Sequence, residues 1–320
     1  MFVAAVREHR WWALATLVLL VVLAFLPFLV MPFYVRVGQL VLLSAGLALA
    51  WTLLGGFAGY WSFGHTAFIG LGAFGAGLFE TGLMRGAPLL GFAAGLVVGA
   101  ALCAGVAAAV AWPILRLRGI YFAVAMLGVA EVLAELNNNI DIFMGSLGLV
   151  LPRIGAFGLR PEAVFYYLLL VATFLILLIA FAVKTSRIGY GLVALREDED
   201  TARMLGVPTE RFKIAMFVLS AALTGALGVI YAHSLGYITT ASVYRTDFSL
   251  NMIVYNLLGG IGTLVGPLLG SLVMVVLTQV VLGRLLSIHM FITGALLVLL
   301  VLLAPKGLIG LFRRRTEGAE

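Results

Sequence analysis

Three ionisable side chains stand out because they fall within apolar stretches long enough to cross a membrane. Glu131 and Glu135 are one helical turn apart and share a helix face, and His65 lies beside Thr66. A charged side chain at the centre of a bilayer costs about 2.5–3.5 kcal/mol, so such groups are candidates for a pathway or a gate. A structural hydrogen bond or a packing role is the alternative for each. The residues predicted to line a pathway are Ser62, His65, Thr66, Glu131, Gly259, Gly260 and Gly262.

A second group of charges lies in the segment VALREDEDTARMLGVP, residues 193–208, whose four consecutive acidic residues cannot lie inside a span. Gly206 and Pro208 are stop signals, and Thr209 is predicted to cap the next span. Apolar residues recur near helical spacing, which predicts a short amphipathic element with one face toward the membrane domain. A solvated loop whose charges only support topology is the alternative. The residues of the predicted apolar face are Leu192, Leu195, Ala202 and Leu205.

The composition excludes a soluble globular domain. The 320 residues have a mean hydropathy of +1.16 and only 11% charged residues, against about 25% in soluble proteins. We therefore expect an integral membrane protein in contact with the lipid bilayer. The formal net charge of +6 does not indicate a nucleic-acid partner, because basic residues of membrane proteins collect on cytoplasmic loops. The single cysteine, Cys103, excludes an internal disulfide and a cysteine-rich metal site.

Hydropathy predicts an all-α polytopic membrane protein with about ten transmembrane helices in one domain, residues 1–320. The prediction follows because a bilayer core about 30 Å thick needs roughly 20 apolar residues per helix. The predicted spans are 11–31, 38–55, 62–80, 88–112, 119–137, 164–183, 212–233, 249–264, 266–284 and 287–304.

The distribution of basic residues predicts the orientation of these spans. With a cytoplasmic N-terminus, most of the 20 basic residues fall on cytoplasmic segments, including the loop 184–211 and the tail 312–320. Arg245 then falls on the outer side. Both termini are therefore predicted to be cytoplasmic.

Ten spans divide into two halves, about 1–140 and 164–311, which run in opposite orientations because each holds an odd number of spans. The third and eighth spans are both glycine-rich and occupy matching places. Paired interrupted helices indicate a transport site, because their unpaired backbone groups are tolerated only against protein or a wet cavity. Alternatively, the glycines only allow close helix packing, as we expect for Gly91, Gly95 and Gly99 of the fourth span.

Five blocks of sequence together resemble the permease subunits of bacterial ABC importers for branched-chain amino acids, of the LivM type. The resemblance covers about residues 38–310, and the blocks are specific as an ordered set although each alone is weak. They are LRLRGIYFAVAMLGVAEV (115–132), IGYGLVALREDEDTARMLGV (188–207), FVLSAALTGALGVIYA (217–232), LLGGIGTLVGPLLGS (257–271) and LLAPKGLIGL (302–311).

This resemblance implies a set of partners in the bacterial inner membrane. They are a second, LivH-like permease, two ATPase subunits and a periplasmic substrate-binding protein. The chain itself has no GxxxxGK[ST] motif to hold nucleotide phosphates, so ATP and Mg are expected in the partner ATPase and no cofactor in this chain. The resemblance implies a transport subunit and not an enzyme.

The resemblance also implies a role for the acidic loop. DTARMLG, residues 200–206, is similar to the family's loop pattern that ends in glycine, so residues 193–207 are predicted to form a coupling helix region that docks on the ATPase. The residues predicted to couple to it are Arg196, Glu197, Glu199, Asp200, Ala202 and Gly206.

Two other functions stay open from the sequence. Relatives of the family carry urea and short amides, so the substrate follows from resemblance alone. A secondary transporter or channel of another class would use Glu131, Glu135 and His65 to relay ions, and its acidic loop would be incidental.

Overall fold

The computed structural model describes residues 23–84, 86–139, 147–155 and 160–281, together with residues 294, 307 and 308. Within these residues, six helices are long and apolar enough to cross a membrane. They are α1 (Pro32–Trp51, continued by a π-helical turn over Thr52–Gly56), α2 (Thr66–Leu83), α3 (Pro88–Ile114), α4 (Ile120–Asn139), α5 (Pro161–Thr185) and α8 (Thr209–Leu235). The shorter elements are α6 (Arg187–Glu197), α7 (Glu199–Met204), α9 (Thr240–Val243), α10 (Thr246–Gly259), α11 (Val265–Val276) and the strands β1 (Leu149–Val150) and β2 (Tyr237–Ile238).

The long helices lie where hydropathy predicts the second to seventh spans, with starts that differ by a few residues. Residues 23–29 of the first predicted span are also helical, and the rest of that span lies almost entirely outside the described residues. The tenth predicted span, 287–304, also lies outside them apart from residue 294. The described part of the chain is therefore a mostly helical membrane protein.

The central helix of the described bundle is α8. It packs along α2, α3 and α1, while α1 also packs along α5, α10 and α11. Helices α6 and α7 cross one end of the bundle, between the end of α5 and the start of α8; we call this the loop end. The opposite end carries a two-residue antiparallel pairing of β1 with β2, a small departure from an all-α fold.

Glycines bring α2, α3 and α8 into backbone contact. A Cβ on Gly72 of α2 would overlap the carbonyl of Gly225 on α8, and one on Gly99 of α3 would lie 3.0 Å from the carbonyl of Gly72. Helix α2 is continuous over Thr66–Leu83, so for the glycines inside it the structure favours close packing, the second of the two interpretations. They serve close packing, which in a membrane replaces the hydrophobic driving force between helices. Gly91 and Gly95 of α3 are likewise buried, as predicted.

The chain is interrupted between α1 and α2, and not inside α2. Residues 57–65 are non-helical, so Ser62 and His65 lie before the helix and not inside it as predicted. At Thr52 the hydrogen bonding of α1 changes from α-helical to π-helical. The Thr52 hydroxyl donates to Asn256 Oδ1 of α10 at 2.7 Å. Asn256 Nδ2 in turn donates to the carbonyl of Ala48 at 3.0 Å. Thr52 and Asn256 therefore join α10 to the π-helical turn of α1. Single π-helical turns are frequent at functional sites.

The eighth predicted span, 249–264, contains a true break. Helix α10 ends at Gly259, and Gly260 and Gly262 turn the chain with φ of 120° and 73°, values that favour glycine. Gly259 then packs against the carbonyl of Gly266 at the start of α11. With 14 residues, α10 is about 21 Å long and does not span a 30 Å core. It is a half-length helix.

The glycine contact predicts a difference between two conservative variants. Gly72→Ala places a methyl group against the backbone of α8, and we expect overpacking to lower stability by about 1–3 kcal/mol. Gly105→Ala, on the exposed side of α3 with nothing within 4 Å, should be neutral or slightly stabilising. Thermal unfolding of the purified protein in mild detergent compares them, and equal melting temperatures would contradict the packing role.

Candidate functional site

The acidic segment folds as two helices and not as one element. Helix α6 ends at Glu197, and Asp198 then caps α7 by accepting a hydrogen bond from the backbone N–H of Thr201 at 2.6 Å. That bond lowers the pKa of the Asp198 carboxyl. Gly206, predicted as a stop signal, follows the end of α7 with a left-handed φ of 84°. The segment is ordered by its own caps and turns.

The predicted inward face of this segment is confirmed at three of four positions. Leu192, Leu195 and Ala202 are buried, whereas Leu205 is 76% exposed. Leu205 was placed inward wrongly because the helix ends at Met204, so the helical spacing no longer applies. Thr209 is also not a cap: it is the first residue of α8, its side chain makes no capping bond, and its N–H donates to the carbonyl of Val207.

Glu199 holds α7 against the bundle. Its carboxylate accepts hydrogen bonds from Lys213 Nζ of α8 at 2.7 Å and from the Tyr60 hydroxyl at 2.5 Å, and its side chain is only 8% exposed. Arg118 Nε lies 3.5 Å away. Burial opposes ionisation, but the hydrogen bonds from Lys213 and Tyr60 and the attraction to both cations outweigh it, so the pKa of Glu199 is lowered.

Asp200, the next residue, forms a two-pronged pair with Arg118. The guanidinium donates from both Nη atoms at 2.8 and 2.9 Å, and this pairing lowers the pKa of Asp200. The Asp200 side chain is 63% exposed, so the pair lies on the surface of the loop end. Solvent screens an exposed pair of this kind, so it contributes little to stability and Asp200 can contact a partner.

Arg196 of α6 contacts two irregular parts of the bundle. Its Nη1 donates to the carbonyl of Gly56, where the π-helical turn of α1 ends, at 3.2 Å. A Cβ on Gly262 would lie 2.6 Å from the same Nη1, and Lys184 Nζ donates to the carbonyl of Gly262 at 3.0 Å. The loop end therefore touches the end of α1 and the turn between α10 and α11 at once.

The six residues predicted to couple to an ATPase thus lie on two sides of the loop. Glu199 and Ala202 face the bundle. Arg196 reaches from α6 to the turn at Gly260 and Gly262, which we call the glycine turn. Glu197, Asp200 and Gly206 face outward. The outward side also carries apolar side chains that the sequence analysis did not single out as a surface: Tyr190 (71% exposed), Val193 (46%), Met204 (81%) and Leu205.

The predicted pathway residues do not form one cluster. His65 is fully buried, and its Nε2 lies 2.7 Å from Ser220 Oγ, which donates to the carbonyl of Ala50. Since the Ser220 proton is used there, His65 donates from Nε2, and its Nδ1 is left without a partner. Ser62 Oγ is also buried without a partner. Both residues lie in the packed interior.

Thr66 connects the starts of two helices. Its N–H donates to Ser249 Oγ of α10 at 2.8 Å, and its hydroxyl donates to the carbonyl of Arg245 at 2.8 Å. The first turns of α2 and α10 therefore meet inside the bundle. Gly259, Gly260 and Gly262 lie at the other end of α10, beside the loop end.

Glu131 lies on an exposed face of α4, one turn before Glu135, as the spacing predicts. The Thr246 hydroxyl donates to Glu131 Oε1 at 3.5 Å. Beside it, Arg245 donates to Asp247 from Nε at 2.9 Å and from Nη2 at 2.6 Å. This pair was not predicted from the sequence; the available signal was the short stretch between Arg245 and the turn at Gly260, since the 14 residues of α10 are too few to span a membrane core.

The Glu199 cluster predicts a variant with a clear stability defect. Lys213→Met leaves the buried carboxylate of Glu199 without its closest cation, and we expect a loss of about 3 kcal/mol. The double variant Glu199→Gln/Lys213→Met should recover most of it. Because the Glu199 pKa is lowered in the folded state, its contribution is present above pH ~4.5 and is lost as the pH falls below that. Melting curves across pH 3–7 test this, and an equal pH dependence in the double variant would contradict it.

Comparison with known proteins identifies the family. The family described as "Branched-chain amino acid transport system / permease component" matches residues 33–301. The chain is 29% identical over 327 aligned residues to the high-affinity branched-chain amino acid transport system permease protein LivM of Escherichia coli K12, covering 93% of this chain and 75% of the relative. It is 25% identical over 287 residues to LivH of the same organism, covering 82% and 90%. No solved structure gives a significant match. With six membrane-capable helices among its described residues, the chain is a multi-pass membrane protein that belongs to the family of branched-chain amino acid transport permeases.

Proposed function

We propose that this chain and a second, LivH-like permease form the membrane pathway of an ATP-driven importer for branched-chain amino acids. The observation that carries the proposal is the family match over residues 33–301 in a chain whose loop end presents an ordered, partly apolar surface. The relatives named LivM and LivH both align with most of this chain, which supports a pair of related permeases. ATP and Mg would bind the partner ATPases, and a periplasmic protein would deliver the substrate.

The loop end would couple the permease to its ATPase. Met204 and Leu205, with Tyr190 and Glu197, would enter a groove of the ATPase, where burial of apolar surface contributes roughly 25 cal/mol per Å². The inward residue Glu199 fastens the loop to α8 through Lys213. Residues 187–204 would therefore move with the bundle as a nearly rigid body.

Arg196 would pass this motion into the membrane. It touches the end of α1 and the turn between α10 and α11, and regular helical hydrogen bonding is interrupted at both places. Interrupted helices bend more easily than continuous ones. A displacement of the loop end would thus act first on α10, the half-length helix.

We also propose the predicted topology, with about ten spans in two inverted halves and both termini in the cytoplasm of a bacterial inner membrane. The packing supports it: α8 packs along α2 and α3, while α1 packs along α10 and α11. If the second span corresponds to the seventh, a two-fold axis in the membrane plane exchanges these two sets. Each half would then pack its second helix along the third and fourth helices of the other half.

The loop surface predicts the effect of Gly206→Arg. This variant adds bulk to the outward surface and strains a left-handed backbone, so we expect ATP-dependent leucine uptake to fall at least tenfold and the partner ATPase to be lost on affinity purification. Gly206→Asn, which tolerates the same backbone, separates strain from bulk and should retain more activity.

Gly236→Arg is the matched control for this experiment. Gly236 has a φ of 73° at the opposite end of α8, and nothing lies within 4 Å of a Cβ placed there, as at Gly206. It should keep the ATPase and most uptake. Normal uptake by Gly206→Arg would refute the coupling role of the loop end. Purification of the wild-type chain without an ATPase and a second permease would refute the proposed function.

The exposed carboxylates predict a second functional difference. Glu131→Gln should reduce the maximal uptake rate at least fivefold, because Glu131 lies near mid-depth beside Thr246. Glu135→Gln should have little effect, because Glu135 lies one turn nearer the opposite end and already accepts a hydrogen bond from Asn139 at 3.1 Å. The two variants are compared by leucine uptake into vesicles at saturating binding protein. Equal maximal rates would show that Glu131 does not line the pathway.

A further inference from the structure

We propose that Glu131, Arg245 and Asp247 form a contact site for a zwitterionic amino acid at mid-depth in the membrane; the proposal deepens the proposed function and rests on it. We call these three residues the charged triplet. Nothing in the family match assigns a role to them. Their depth, exposure and arrangement each support the site.

Two helices independently give the triplet's depth. Glu131 lies eleven residues after the start of α4, or about 17 Å along it. That start is at the loop end, because Arg118 pairs with Asp200 just before it. Thr246 lies thirteen residues before Gly259, about 20 Å from the glycine turn at the loop end. In a core about 30 Å thick, both distances place the triplet near the middle.

The triplet is too exposed for the protein surface around it to lie against lipid. The side chains of Arg245 and Asp247 are 52% and 45% exposed, and Glu131 lies in the exposed stripe of α4. Each charge facing hydrocarbon at this depth costs about 2.5–3.5 kcal/mol, so intramembrane charges face cavities or other protein. We infer that this face meets the second permease across a water-filled pathway.

The arrangement of charges matches both groups of a zwitterion. Arg245 presents a planar fork that fits a carboxylate, and Asp247 occupies that fork in the present structure. Among the described residues, the one hydrogen-bond partner of the Glu131 carboxylate is Thr246 at 3.5 Å, so this carboxylate can accept an ammonium group. A substrate carboxylate could therefore replace Asp247 at Arg245 while the ammonium lies between Asp247 and Glu131.

This exchange lowers the barrier to crossing because each of the two charges of the substrate meets an opposite charge of the triplet. Ion pairs within the protein are replaced by ion pairs to the substrate, so the substrate loses its hydration against compensating charges. Apolar side chains flank the triplet at helical spacing: Leu127 is one turn before Glu131, and Leu250 is one turn after Asp247. They suit an aliphatic side chain, so the site fits amino acids that are uncharged beyond the α-carbon groups.

Thiol labelling in native membranes that hold the complete importer tests the site. Glu131→Cys and Asp247→Cys should react with a hydrophilic thiosulfonate at least tenfold faster than Val97→Cys. Val97 is 69% exposed in an apolar groove of α3 with Leu96 and Val171, so it is a lipid-facing control. The native Cys103 is fully buried, which keeps the background low.

Protection by small molecules tests the ligand class. Millimolar leucine should slow labelling of Asp247→Cys at least threefold, whereas leucinamide and 4-methylpentanoate, which each lack one of the two charges, should not. Arg245→Gln with intact Asp247 should lower leucine uptake at least tenfold, while Glu135→Gln keeps it. Labelling no faster than at Val97, or equal protection by all three compounds, would overturn the site.

The wild type separates this inference from the proposed function. If wild-type vesicles show no ATP-dependent leucine uptake, the proposed function fails. If uptake is normal while both cysteines stay unreactive or unprotected, the importer assignment stands and the zwitterion site is wrong.

Discussion

The fold depends on one constraint: backbone groups released by a helix break inside a membrane must find partners within the protein. This chain satisfies the constraint by pairing its breaks with each other. The first residues of α2 donate to Ser249 and to the carbonyl of Arg245, which precedes α10. The loosened end of α1 is held by Asn256 from the same short helix. Helix α10 is therefore bonded at both ends to the irregular parts of the other half of the chain.

The loop end is the second consequence of this arrangement. The turn after α10 and the end of α1 both present carbonyls to the loop end. Lys184 donates to the carbonyl of Gly262 in the turn, and Arg196 donates to the carbonyl of Gly56 at the end of α1. Glu199, with Lys213 and Tyr60, fixes the other part of the loop to α8. One loop thus has a charged inner side that holds helices and an outer side that is free for a partner. A solvated loop that only joined two helices would need neither the charged inner side nor the apolar outer side.

Hydropathy predicts the long helices well, since α1, α3, α4, α5 and α8 must each present a continuous apolar stretch to lipid or to other helices. It misplaces the start of α2, because residues 57–65 (FAGYWSFGH) are nearly as apolar as a helix and contain no proline or charge to mark the break. Periodicity identifies Leu192, Leu195 and Ala202 as inward, but fails at Leu205, where the helix has already ended. The partners of Glu199 lie 14 and 139 residues away along the chain, and no local pattern could pair them. The proximity of Arg245 to Glu131 could not be predicted either, because the hydrogen bond from Thr246 to Glu131 joins residues that are 115 positions apart in the chain.

The exposed stripe of α4 and the charged triplet also bear on how the protein is made. A copy of this chain inserted alone would hold Glu131, Arg245 and Asp247 against hydrocarbon, and three such charges together cost several kcal/mol. Folded proteins have net stabilities of about 5–15 kcal/mol, so this is a large fraction of what an orphan subunit possesses. Unassembled copies would be open to membrane proteases, and the ratio of the two permeases would be set by mutual protection after synthesis. The charges proposed to contact the substrate would thus also keep the two permease subunits in a fixed ratio.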